Sequence, residues 1–249
     1  MTQVLQLKVT LYGTKPPVWR RVEVPDTLTF WEFHFVLQIL FDWDSSHLFE
    51  FRQGRGAPDE FLAGPPAVDP TLADELPEWQ QDARDVTLAD VLSAPKQKLA
   101  YVYDLGDYWE HTVLVEQVQA LAPGHPTPAV RCLAGRRAAP PEDIGGLPGY
   151  YELLDVLAEK AAGQRKRLPS HFAGLGKYDP EEFELDSFNQ DLANLRAIVA
   201  EEDAMLAAHT RQLAQLPPAH RTELAATDLL EALAAMMAAA TDPPKKPKK

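Results

Sequence analysis

The run Tyr101-Val102-Tyr103-Asp104-Leu105-Gly106-Asp107-Tyr108-Trp109-Glu110-His111 gathers acids, an imidazole and four aromatic rings within eleven residues. Asp104, Asp107 and His111 are residue types that hold a divalent metal, or that pair a general base with the group orienting it. The same acids have a plainer use, because Asp beside Gly hydrogen-bonds the backbone of a tight turn. Strand alternation puts Trp109 and His111 on one face and Glu110 on the other. A second cluster is Pro140-Pro141-Glu142-Asp143-Ile144-Gly145-Gly146. Its prolines stiffen the approach, its two acids are presented together, and its glycines allow unusual backbone angles. Glu142 and Asp143 can join the first cluster, or they can pair with Arg131, Arg136 or Arg137 in an ordered structural loop. The loop leads into a helix near Gly149, whose free N–H groups favour an anion. It is not a phosphate-binding loop, since no Gly-Lys-Ser/Thr follows.

Arg20, in Trp19-Arg20-Arg21, can bind an anion or pair with one of the chain's many acids. His47 and Glu50 join the hairpin cluster only if their strands are neighbours. The candidate binding face is therefore Asp104, Asp107, Trp109, His111, Glu142, Asp143, Arg20 and His47, with no residue assigned to catalysis. No cofactor or metal is called for, and Asp104, Asp107 and His111 are the set that would hold a metal. Cys132 is the single cysteine, which rules out an intrachain disulfide and every multi-thiolate zinc or iron–sulfur site. That usage suits a reducing, cytoplasmic compartment.

The elements that must position these groups can be read from the pattern. The chain has 249 residues, 45% of them hydrophobic and 24% charged, which is ordinary globular composition. The net charge of -13 argues against a sequence-independent phosphate binder. No apolar run reaches the roughly 20 residues of a membrane span, and no basic region precedes an apolar run at the N-terminus. Alternation at Leu5, Leu7, Val9 and Leu11 predicts a first strand, and Val18 to Val24 a second with Arg20, Val22 and Val24 on one side. Thr29 and Glu32 form a capping box that opens an aromatic helix ending near Phe41. His34, Gln38 and Asp42 make its polar stripe. Leu48 to Gln53 reads as a third strand with Phe49 and Phe51 inward. Lys98 to Asp104 and Trp109 to Val118 form a hairpin.

Residues 54–86 are acidic and Pro-rich and read as an insertion. Ala122 to Gly149 reads as loop, followed by a helix carrying Tyr150, Leu153, Leu154 and Leu157. Asp179-Pro180-Glu181-Glu182 reads as a helix start, and Ser187 with Gln190 as a further capping box. A last Ala-rich helix is predicted over Arg221 to Ala240. The fold class is α+β, a mostly antiparallel sheet of about five strands with helices on one face, plus C-terminal helices. The expected organisation is a domain over 1–190, a helical extension over 191–241 and a disordered Lys/Pro tail over 242–249.

Several blocks together resemble the plasmid pRiA4b ORF-3-like family. They are Val18-Trp19-Arg20-Arg21-Val22, the Phe41-Asp42-Trp43 end of the aromatic helix with His47-Leu48-Phe49-Glu50-Phe51, the Tyr103–His111 run, and Cys132-Leu133-Ala134-Gly135 with Pro140–Gly146 and Gly149-Tyr150. The resemblance covers about residues 4–190. It implies an α+β fold and brings with it no reaction, cofactor or catalytic residue. Members include insertion-sequence passenger proteins with the resolvase-type label TnpR. In the family pattern cysteines stand at the positions of Ala139 and Ile144, so a thiolate metal site is not expected in this chain. The recombinase label finds no support in the residues: Ser45 and Ser46 have no arginine cluster around them.

Three functions follow as expectations. The first is a soluble binding or interaction protein whose partner is a basic protein or a small ligand. The second is a metal-assisted hydrolase using Asp104, Asp107 and His111. The third is a nucleic-acid-associated accessory protein, which would use the basic Arg165-Lys166-Arg167 or the C-terminal lysines. All three put the hairpin tip and the Pro-Pro-Glu-Asp loop in one place.

Overall fold

The structure, a computed structural model, describes residues 2–53, 61–66 and 81–215. Seven strands form a single antiparallel sheet: β1 (Gln3–Leu11), β2 (Trp19–Pro25), β3 (Phe49–Arg52), β4 (Phe61–Ala63), β5 (Lys98–Tyr103), β6 (Trp109–Ala120) and β7 (Arg131–Arg136). Their order is β4-β3-β5-β6-β1-β2-β7. The helices are α1 (Phe30–Phe41), the single turn α2 (Leu88–Val91), α3 (Gly146–Ala161), α4 (Leu185–Ala193) and α5 (Leu195–Ala214), with a 3-10 turn over Ser170–Leu175. The fold is thus α+β and antiparallel, with two strands more than the sequence pattern gave. β4 lies within the acidic insertion and β7 within the stretch read as loop.

One face of the sheet is the core. Leu5, Leu7, Val9 and Leu11 alternate inward on β1, and Phe49, Phe51, Tyr101, Tyr103, Trp109 and Val113 continue that face. Helix α1 lies across it, with Phe30 against Phe51 at 4.7 Å and Phe41 against the His111 ring at 4.5 Å. Its start is the expected capping box: Thr29 accepts from Glu32 N, and Glu32 accepts from Thr29 N. Of the polar stripe on α1 only Asp42 is exposed. His34 and Gln38 are both buried and both bond the Tyr101 hydroxyl, at 2.8 and 2.9 Å. A phenol in a core needs such partners, and α1 supplies them.

The opposite sheet face carries polar pairs. A bulge in β6 between the partners of Gln6 and Leu7 accommodates Glu116, whose carboxylate is held by Arg21 at 2.5 Å and by Gln6 at 2.8 Å.

Two predicted helix starts are corrected. Asp179-Pro180 begins a turn, with Asp179 Oδ1 accepting from Glu181 N at 2.9 Å. α4 starts at Leu185, so Ser187 and Gln190 fall inside it and form no cap. The helical stretch that follows divides at Asn194 into α4 and α5. Leu192 and Leu195 beside that break join the main core, and Trp31 on α1 donates to Asp203 on α5 at 3.0 Å. The Ala-rich helix over 221–240 and the Lys/Pro tail lie outside the described residues. No helix among the described residues is long and apolar enough to cross a membrane.

Candidate functional site

The β5–β6 turn is built on Asp104. Its backbone is left-handed (φ 55), a conformation that Asp tolerates better than most residues. Its Oδ1 accepts from Gly106 N at 2.8 Å and Asp107 N at 3.1 Å, while its own N–H donates to Leu48 O at 2.9 Å. That last bond ties the hairpin to the segment preceding β3. Since β3 pairs with β5, His47 arrives beside the turn. His47 Nε2 lies 3.8 Å from Asp104 Oδ2 and 3.2 Å from Asp143 Oδ1.

Asp107 reaches the other way. Its Oδ2 accepts from Ile144 N and Gly145 N, each at 3.1 Å, on the approach to α3. The contact is close enough that a Cβ on Gly146 would fall 2.5 Å from the Asp107 carbonyl oxygen, and Gly146 itself has φ 64. The hairpin tip and the loop before α3 are therefore joined directly, and the carboxylate sits where the free N–H groups of the helix start favour it.

Three further bonds hold the loop. Trp43 Nε1 donates to Pro140 O at 2.9 Å, Tyr178 OH to Ala139 O at 3.0 Å, and Tyr103 OH to Glu142 Oε1. Asp44 N adds a bond to Glu142 Oε2 at 3.1 Å. Burial pushes the Glu142 carboxyl up to about 7, against the opposing pull of the Tyr103 and Asp44 hydrogen bonds. Glu142 can thus carry a proton near neutral pH. It borders two clefts, of about 460 and 500 Å³, one running toward Arg20 and Tyr178 and the other toward His171 and Phe172. The loop acids meet a phenol and an imidazole. They do not pair with the arginines: Arg137 takes Glu181 at 2.8 Å, along with the carbonyls of Pro180 and Pro16.

Five of the eight sequence candidates thus lie in one seam: His47, Asp104, Asp107, Glu142 and Asp143. Trp109 and His111 lie beneath it in the core, each at most 1% exposed. The His111 ring packs against Phe41, Trp43 and Tyr101, and burial pushes its pKa down to about 3. It stays neutral and is shut off from solvent. Arg20 is also buried, with Nε on Leu40 O at 2.6 Å and Nη1 on the carbonyls of Trp19 and Arg136. The rings of Phe41, Phe183 and Phe188 surround its guanidinium at 5.1–5.2 Å. It makes no carboxylate pair among the described residues, and burial lowers its pKa to about 10.

Sequence reasoning missed Trp43, Tyr103 and Tyr178 as the groups that fix the loop. The available signal was general: a buried Trp or Tyr usually places its N–H or O–H on an acceptor.

The sequence pattern of the family described as plasmid pRiA4b ORF-3-like protein matches residues 3–187. The chain is 34% identical over 204 residues to "Uncharacterized protein y4hQ" of Sinorhizobium fredii, covering 79% of this chain and 94% of that relative. Among solved structures it is similar to the crystal structure of a protein of unknown function, MM3350, from Methanosarcina mazei Go1. There the identity is 30% and the TM-score 0.59, over 75% of this chain and 97% of the other. The chain belongs to the plasmid pRiA4b ORF-3-like family.

Proposed function

We propose that this member of the plasmid pRiA4b ORF-3-like family is a binding protein whose recognition face is the seam between the β5–β6 turn and the loop before α3. Its partner is a basic segment of polypeptide that also carries an apolar side chain. The observation that carries this reading is at the turn itself. Leu105 and Tyr108 are 49% and 45% exposed, and among the described residues only one other large hydrophobic, Tyr12, is comparably exposed. They share the turn with Asp104 and Asp107, whose carboxylates reach His47 and the loop carrying Glu142 and Asp143, while the Tyr108 hydroxyl accepts from Arg52 at 3.1 Å, so apolar surface stands on a turn that also bears acids and is pinned at both sides. Rigid presentation of this kind lowers the ordering cost of binding.

The test is a fluorescence-anisotropy titration with labelled peptides alternating Lys and Leu, against matched peptides of Glu and Leu. The Lys peptide is expected to bind and to weaken with salt. Leu105→Ser with Tyr108→Ala is expected to weaken it by about tenfold. Equal affinity for both peptides, or no loss in the double variant, would dismiss the reading.

A second reading, a metal-assisted hydrolase, is favoured by the position of Glu142, which borders two clefts and stands next to Asp143. It predicts Mn²⁺-dependent hydrolysis of a generic phosphodiester, abolished in Glu142→Gln; a rate equal to buffer would remove it. Association with mobile elements and a cytoplasmic location belong to the same proposal. They rest on the family resemblance and on the lone Cys132.

A further inference from the structure

We propose that His47, Asp104 and Asp143 form a site for one divalent transition-metal ion, Zn²⁺ or Mn²⁺. The inference deepens the reading of the seam as a binding site for positively charged groups and rests on it.

Three segments distant in sequence converge here: the connection from α1 to β3, the end of β5, and the loop before α3. Each offers one donor atom within 4.8 Å of the other two. With His47 Nε2 at 3.2 Å from Asp143 Oδ1 and 3.8 Å from Asp104 Oδ2, an ion centred among donors so spaced sits about 2–2.4 Å from each, close to the lengths of zinc–imidazole and zinc–carboxylate bonds.

Two observations support a cation at this point. His47 Nε2 is itself buried and has no hydrogen-bond partner, although two carboxylate oxygens flank it. With carboxylate oxygens at 3.2 and 3.8 Å, that nitrogen needs a positive charge between it and them, which a bound cation supplies as well as a proton does. Asp104 is the second. Its side chain is only 10% exposed, its Oδ1 is committed to two turn N–H groups, and its Oδ2 has no hydrogen bond among the described residues. The free oxygen is the one directed at His47. A single cation would satisfy both atoms and balance the two carboxylates.

The donor set selects the ion. One imidazole with two carboxylates suits Zn²⁺ or Mn²⁺, whereas Mg²⁺ and Ca²⁺ prefer all-oxygen shells. Asp104 is pre-set by its turn and the Leu48 bond, so little ordering is needed on that side. Asp143 is 78% exposed and leaves the outer side of the ion open to water or to a partner's donor group. Asp107, tied to Ile144 and Gly145, and His111, sealed in the core, are not ligands.

The test uses the full chain, purified without a tag and stripped with a chelator. Mn²⁺ is titrated and the free ion read by electron paramagnetic resonance, with Zn²⁺ as competitor. One Mn²⁺ per chain is expected, displaced by Zn²⁺. His47→Ala and Asp143→Asn are each expected to weaken binding by about tenfold or more. His171→Ala, which removes an exposed histidine paired to Glu152, is expected to bind as wild type. Asp143 is so exposed that its substitution leaves the fold intact, so loss of binding there does not reflect unfolding. Leu105→Ser is expected to keep Mn²⁺ affinity while weakening the peptide, which separates this inference from the peptide reading. No saturable binding below about 1 mM, or equal affinity in the His47 and Asp143 variants, would overturn it.

Discussion

Replacing Asp107 with alanine removes the carboxylate that joins the hairpin tip to the start of α3. Two N–H groups, those of Ile144 and Gly145, lose a charged acceptor at 3.1 Å. Hydrogen bonds to charged groups contribute about 1.5–3 kcal/mol each. Asp107 is half-buried, so the lower end applies. The favourable field of the helix start adds about 0.5 kcal/mol. Asp107→Ala should therefore cost about 3.5 kcal/mol. Asp107→Asn, which keeps an acceptor oxygen but not the charge, should cost about 1 kcal/mol. Urea unfolding gives the two free energies, and amide hydrogen exchange at Ile144 and Gly145 shows whether the loss is local. In the alanine variant both amides should exchange faster than in wild type, and the Lys/Leu peptide should bind more weakly. An alanine variant within about 0.5 kcal/mol of wild type, with both amides still protected, would show that the seam is held by something other than this carboxylate.

Gly146→Ala should disturb the same seam by a different route. The added Cβ meets a backbone oxygen at 2.5 Å in a left-handed residue, so a loss of about 2 kcal/mol or more in urea unfolding is expected. Acid should destabilise the fold through His34 and His111, whose pKa values burial pulls from 6.5 to about 3. The unfolded chain takes up these protons first, so stability is lost as pH falls from 6.5 toward 3, at about 1.4 kcal/mol per pH unit for each group. Glu142 works the other way, because its raised pKa gives stability that is present below pH 4.5 and lost as pH rises through about 7. It offsets part of the histidine effect above pH 4.5, and the steep limb should appear below that. Urea midpoints from pH 7 to 3.5 check this, and His34→Gln should flatten the acid limb. Arg20→Met should lower the melting temperature strongly. It leaves the carbonyls of Leu40, Trp19 and Arg136 without their donor, a cost of about 3 kcal/mol or more.

The elements that declared themselves in the sequence were those with a local cause. β1 alternates over nine residues, the α1 cap is a Thr-x-x-Glu box, and the β5–β6 turn carries Asp and Gly where a tight loop needs them. What escaped was set by pairing across the chain. β7 is six residues, RCLAGR, with little strand character of its own; it is a strand because β2 offers it an edge, with a bulge between the partners of Arg21 and Val22. β4 is three residues long. The polar stripe on α1 was legible as His34, Gln38 and Asp42, but nothing local reveals that Tyr101, more than sixty residues away, would claim the first two. Asp179-Pro180 carries a true helix-start signal, but the segment turns instead and Phe183 goes over the Arg20 guanidinium.

The site itself follows from register. Tyr103 pairs with Trp109, Leu11 with His111, Thr10 with Trp19, and Trp19 with Arg136. The continuous row is Ala100, Thr112, Thr10, Trp19 and Arg136, so these pairs all lie at the end of the sheet that carries the β5–β6 turn. Any loop leaving β7 after Arg136 must therefore start at the same edge as the hairpin tip. The aromatic layer then sets its height, since Trp43, stacked on Tyr103 at 5.0 Å and on Trp109 at 6.2 Å, presents its N–H to Pro140. Two prolines limit how the chain leaves that point, so Glu142 and Asp143 come down beside Tyr103 and His47. Trp109 and His111, which the strand pattern offered as members of the site, serve it from below. They are part of the floor on which Trp43 rests, and their burial keeps the acids above them at a fixed level. By this argument a change at Trp43 that keeps the ring but removes its donor should shift the loop acids without unfolding the sheet.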